Sequence, residues 1–108
     1  MLWPKVYLTS RALKHIYDKR PAEEYDALLN FIPQIITFPT RIYQNKNGKR
    51  GAYCFVKKIA NEDYLVSLEN SVDEPRGIYL VTAFRIRTDK YLEGYKLLWS
   101  WEDDVPPS

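Results

Sequence analysis

The sequence predicts an α+β domain: a short N-terminal strand, two N-terminal helices packed on an antiparallel sheet of about four strands, and a short C-terminal helix. Three observations predict it. Apolar residues recur at helical spacing from Ala12 to Ile36. Beyond Arg41 the period changes to the alternation of strands. Between two such runs stands Asn47-Gly48, the dipeptide that most favours a tight type I′ hairpin. The 108 residues suffice for one core. Residues 1–101 are assigned to a single domain and 102–108 to an acidic, Pro-rich tail that frays.

Taken in order, Lys5–Leu8 reads as a short strand. Thr9 and Ser10 are both suited to cap a helix over Arg11–Arg20, whose Ala12, Leu13, Ile16 and Tyr17 form one apolar face. Pro21 fits the first position of a second helix, and Glu23 and Glu24 lie in its first turn, where the macrodipole favours anions. Tyr25, Leu28, Leu29, Ile32 and Ile36 continue its stripe. Pro33 lacks an N–H and predicts a kink or restart, and the helix should end before Pro39. Arg41–Asn45 and Gly51–Lys58 flank the hairpin turn. A second turn is expected at Asn61-Glu62-Asp63, then a strand over Tyr64–Asn70, a polar loop to Gly77 and the longest strand over Gly77–Arg87. Thr88 is placed to cap a short helix ending near Gly94, and Lys96–Trp101 to pack back as a final strand or turn.

Composition narrows the class. Apolar residues make up 45% and aromatic residues 15%, too many for a disordered chain. No apolar run approaches the roughly 20 residues that span a bilayer, and the N-terminus lacks the long apolar stretch of a secretory signal. One cysteine and one histidine cannot build a cysteine-rich zinc site. The expectation is therefore a cytoplasmic protein with no membrane association, no structural metal and no cofactor. Charge is unevenly spread. Residues 1–58 carry eleven Lys/Arg against four Asp/Glu, and residues 59–108 carry five against ten. Arg41–Lys58 holds six basic residues and no acid, a block that suits a polyanion, or else a solvated hairpin.

Side chains alternate across a strand. One parity collects Cys54, Val56, Tyr64, Val66, Leu68, Ile78, Leu80, Thr82 and Phe84, a nearly apolar row suited to lie under the helices. The other collects Tyr53, Phe55, Lys57, Leu65, Ser67, Glu69, Tyr79, Val81, Ala83, Arg85 and Arg87. That mixed row is expected to stay open, its apolar part covered by Leu97, Leu98, Trp99 and Trp101.

The order of elements resembles the RelE/ParE-type toxin fold, within the broader group of barnase, EndoU and the tRNA-cleaving colicins. The resemblance lies in Val6-Tyr-Leu-Thr-Ser-Arg-Ala-Leu-Lys-His15, which looks like the strand-to-helix opening of RelE-like chains. It continues in Gly51-Ala-Tyr-Cys-Phe-Val-Lys57, Tyr64-Leu-Val-Ser-Leu-Glu69 and Tyr79-Leu-Val-Thr-Ala-Phe-Arg85. It is also similar to phage-associated nucleases of the group, which often carry a His in the first helix. Coverage is about residues 5–92.

The resemblance implies a metal-independent endoribonuclease in which the ribose 2′-hydroxyl attacks the adjacent phosphate. It implies RNA as substrate and a toxin, with an antitoxin protein as partner, or a phage-associated nuclease. Such chemistry needs a base, an acid and fixed cations. Glu69 is the candidate base, or a cross-strand salt-bridge partner of Arg85. Arg85 and Lys57 can clamp a phosphate. His15, off the apolar stripe and spaced by four from Arg11 and Lys19, is a second candidate catalytic group or an exposed helix histidine. Lys46, Lys49, Arg50 and Arg87 are candidate RNA contacts, and Tyr53 and Tyr79 can stack bases or pack as amphipathic rings. Thr82 joins the site only if the strand register flips. Cys54 is expected in the core. Two further readings remain: a non-catalytic module for single-stranded nucleic acid, and a protein-interaction domain anchored by its Trp-rich end.

Overall fold

The computed structural model describes residues 5–46, 52–70, 77–88 and 90–101. Two helices lie on one face of a six-stranded mixed sheet. In chain order these are β1 (Lys5–Tyr7), α1 (Ser10–Lys19), α2 (Ala22–Thr37), β2 (Arg41–Gln44), β3 (Tyr53–Ile59), β4 (Glu62–Asn70), β5 (Gly77–Ile86) and β6 (Lys96–Ser100). The spatial order is β1-β5-β4-β3-β2-β6. β1 runs parallel to β5, so the sheet is mixed rather than purely antiparallel, and it has six strands instead of about four.

Thr9 caps α1: its hydroxyl accepts from the Ala12 N–H at 3.1 Å, satisfying one of the N–H groups a helix start leaves open. α2 runs unbroken through Pro33, against the expected kink. Both Leu29 and Pro33 are exposed, so the carbonyl that loses its N–H partner faces the solvent side. Of the expected stripe, Leu28 and Ile32 are buried, Tyr25 and Ile36 are half-buried against the core and Leu29 is exposed, while Glu24 and Ile35 complete the buried stripe of α2. Leu28, Ile32 and Ile35 meet Ala12 and Ile16 of α1 over Tyr64, Val66, Leu68, Leu80 and Ala83 of the sheet.

The β3–β4 hairpin turns at Ala60-Asn61, one residue earlier than expected. Both have positive φ (52° and 66°), and Ile59 pairs with Glu62, as in a two-residue type I′ turn. The turn at Asn47-Gly48 lies outside the described residues, but β2 and β3 pair antiparallel with Gln44 opposite Tyr53.

Register overturns the expected faces. Phe55 pairs with Val66 and Cys54 with Ser67. Phe55 therefore joins the helix face, while Cys54 and Val56 join the second. β5 begins in phase, with Ile78 and Leu80 toward the helices. Leu68 then pairs with Leu80 and Ser67 with Thr82, so Val81 is an extra residue, a β-bulge that inverts the alternation. Beyond it Ala83 faces the helices, and Phe84 and Ile86 join the second face. That face is not open at its centre. Tyr43, Cys54, Val56 and Leu65 form a second buried cluster under Tyr91, Leu92, Tyr95 and Leu97. Leu98, Trp99 and Trp101, expected as the cover, are exposed.

Among the described residues the expected C-terminal helix is absent. Residues 90–94 are turns closed by three-residue bonds from Tyr91, Glu93 and Tyr95 N–H to Thr88, Lys90 and Leu92 carbonyls, ending at Gly94 with φ of 86°. So short a segment cannot nucleate a helix alone, and its tyrosines gain more by packing on the sheet. No helix among the described residues is long and apolar enough to cross a membrane.

Candidate active site

Residues of α1, of the second face and of the covering turn together line a cleft of about 800 Å³. The Thr9 cap fixes the start of α1, and spacing by four brings Arg11 and His15 to one side of it, where both line the cleft. His15 is exposed. From β4 come Ser67 and Glu69, and from β5 come Tyr79, which pairs with Glu69, and Thr82. Asn45, Tyr91 and Tyr95 close the far side. The cleft thus gathers an imidazole, a carboxylate, a guanidinium, three aliphatic hydroxyls (Thr9, Ser67 and Thr82) and three phenol rings.

The rings are ordered. Tyr79 stacks at a tilt on Tyr7, with centroids 5.3 Å apart. Tyr91 stacks on Tyr95 at 5.9 Å and meets Phe84 edge-on at 5.2 Å. Burial, with a hydrogen bond to Tyr91 second, holds the Tyr95 phenol well above the usual tyrosine range. The Lys46 ammonium sits 5.0 Å from the Tyr95 ring centroid, which places a cation at the rim.

Behind the floor lies a polar hub. The Glu24 side chain is 7% exposed, lies 3.8 Å from Arg20 and also binds the Arg87 guanidinium. Its carboxylate accepts from the Arg85 N–H at 3.3 Å. Arg20 in turn donates from Nε to the Ala83 carbonyl at 3.0 Å and from a terminal nitrogen to Thr82 Oγ1 at 3.4 Å.

The expected constellation divides. His15, Glu69 and Tyr79 all line the cleft, and Lys46 stands beside it on Tyr95. Lys57 and Arg85 flank Tyr64 on the helix face. Glu69 lies five residues along β4 from Tyr64 and on the other face, roughly 16 Å away. The bulge and the β3 register thus exclude a common site for Lys57, Glu69 and Arg85. Lys57 instead donates to the Phe38 carbonyl at 2.7 Å, capping the end of α2. Arg85 approaches Glu62 at 3.9 Å. Arg87 is held by Glu24, and Tyr53 lies on the helix-face row with Phe55. Lys49 and Arg50 lie outside the described residues.

Arg11, Tyr91 and Tyr95 line the cleft without having been assigned a role from sequence. Thr82 reaches it by the register flip that its place in an apolar row left open. Glu24 had a legible signal: it stands four residues before Leu28 on the buried stripe.

A protein-family model described as phage-Barnase-EndoU-ColicinE5/D-RelE like nuclease3 matches residues 3–93. The chain belongs to this nuclease family. The match runs from β1 into the covering turn, so every cleft residue of this family member except Tyr95 lies within it. Neither the curated proteins nor the solved structures contain a match to the chain.

Proposed function

We propose that this nuclease is a metal-independent endoribonuclease acting in the cleft between α1 and the second face of the sheet. One observation carries the reading: His15 and Arg11 of the helix line the same cleft as Glu69 and Tyr79 of the sheet. Glu69 takes the proton of the ribose 2′-hydroxyl as its oxygen attacks phosphorus. His15 protonates the departing 5′-oxygen. Arg11 grips the phosphate in a planar fork, and Tyr79 supplies a face for a base. The products are a 2′,3′-cyclic phosphate and a 5′-hydroxyl. A toxin role, with a protein antitoxin as partner, is the finer form of this proposal, and growth arrest on expression would support it.

The Lys46–Tyr95 contact and the stacked Tyr91–Tyr95 rings also suit a groove that holds single-stranded nucleic acid without cutting it. One experiment separates the two. Purified protein is incubated with total RNA and EDTA, beside His15→Ala and Glu69→Ala. Cleavage that leaves cyclic phosphate ends, lost in both variants while their circular dichroism is unchanged, supports the nuclease reading. Intact RNA bound in a salt-dependent manner supports the groove. Cleavage that survives both substitutions overturns the assignment.

A further inference from the structure

We propose that Arg20 is a positioning residue of the cleft: it locks β5 beyond the bulge so that Thr82 presents its hydroxyl proton to an oxyanion in the cleft. The proposal rests on the endoribonuclease reading and adds a contact to it.

Three consecutive residues after the bulge meet one guanidinium. Arg20 Nε donates to the Ala83 carbonyl at 3.0 Å, and a terminal nitrogen donates to Thr82 Oγ1 at 3.4 Å. The guanidinium carbon lies 5.1 Å from the Phe84 ring centroid. The next residue, Arg85, gives its backbone N–H to Glu24, the same carboxylate that lies 3.8 Å from Arg20. The junction of α1 and α2 therefore holds residues 82–85 as a unit. Without the extra residue, Thr82 would continue the Ile78–Leu80 row toward the helices. With it, Thr82 lines the cleft.

The chemistry of the pair has a direction. A guanidinium only donates, so Thr82 Oγ1 must accept from it. The hydroxyl's own proton then points away from Arg20 as a donor, and the nearby cation strengthens that donor. A donor fixed in advance toward developing phosphate charge is of the kind that matters most in the transition state. Thr82 would be the group that touches the phosphate, and Arg20 would act through it.

The test is a double-mutant cycle on cleavage of a short single-stranded RNA. Thr82→Val is expected to lower kcat on the order of 100-fold with little change in KM, and Thr82→Ser to restore most of it. Arg20→Ala should fall by a similar factor, and the double variant should be no slower than either single one to within about threefold. Losses that multiply, or a Thr82→Val enzyme as fast as wild type, overturn the proposal. If Arg20→Ala does not fold, Arg20→Lys takes its place, since a lysine keeps the charge but not the fork. The same four proteins are titrated with a 2′-O-methyl oligoribonucleotide, which has no attacking hydroxyl. If wild type binds it but cuts no RNA, the nuclease reading fails alone. The cycle is then read on affinity, where equal weakening in the three variants supports the positioning role and unchanged affinity refutes it. No cleavage and no binding overturn both.

Discussion

Replacing Glu24 by alanine should destabilise the fold by about 4 kcal/mol, the sum of three losses of unequal size. The Arg85 N–H would be left part-buried without its acceptor, a cost of about 1–3 kcal/mol. Arg20 would lose a carboxylate 3.8 Å away while its side chain remains only 22% exposed. That costs about 1–2 kcal/mol, less than the 3–5 of a fully sealed pair because water reaches the guanidinium. Arg87 is 50% exposed, so its share is about 0–1 kcal/mol despite its close contact. For a domain of this size the sum corresponds to a fall in Tm of about 16–32 °C. Glu24→Gln keeps an acceptor for the Arg85 N–H and should cost about half as much. Urea unfolding followed by tryptophan fluorescence measures both. A Glu24→Ala midpoint equivalent to a loss under about 0.5 kcal/mol would refute the hub, because that is the ordinary scatter of surface substitutions.

Lys57→Ala and Arg85→Ala should each leave RNA cleavage within about threefold of wild type, while Lys57→Ala loses about 0.3–1 kcal/mol of stability with its contact to the α2 terminus. A loss of activity in either, measured with the fold intact, would bring the helix face back into the mechanism. Tyr79→Ala should weaken binding of single-stranded RNA by about 1–3 kcal/mol, read by fluorescence anisotropy at fixed salt. Tyr95 is held protonated in the fold above its ordinary value of 10.0, so the folded state keeps a proton that the unfolded chain gives up. Its contribution is whole below that value and falls as pH rises above it, and Tyr95→Phe should therefore flatten the alkaline loss of stability relative to wild type. Ala60→Gly should stabilise the β3–β4 hairpin by about 1 kcal/mol in chemical denaturation, since Ala60 sits at φ 52°.

Most element positions could be read from the sequence because they rest on local rules. Thr9 capping α1, the helical spacing of Ala12 and Ile16, and the strand over Tyr64–Asn70 needed no knowledge of the rest of the chain. The faces of the sheet could not be read, because they depend on pairing between strands. Alternation shows that Cys54 and Phe55 oppose each other, but only the pairing of Phe55 with Val66 says which one meets the helices. The bulge at Val81 has no signal in its neighbours: Leu80-Val-Thr-Ala contains no glycine, and Arg20, which holds the strand beyond it, is 61 residues away from Val81. The same bulge carried Arg85 to the helix face and Thr82 into the cleft, so one inserted residue both broke the expected triad and completed another site. Glu24 shows a different limit. Its spacing from Leu28 and from Arg20 was visible, but its other partners, the Arg85 N–H and the Arg87 guanidinium, come from the end of β5 and the residue just past it.

The central claim is that substrate sits between α1 and the second face, touching His15 and Glu69 together. The most direct measurement is a nuclear magnetic resonance titration of the labelled protein with a 2′-O-methyl oligoribonucleotide. The account predicts concerted shifts of the His15 ring, Glu69, Tyr79 and Thr82, with the resonances of Lys57 and Arg85 unmoved. Shifts confined to Lys57, Arg85 and their neighbours on the helix face, with His15 and Glu69 silent, would contradict it.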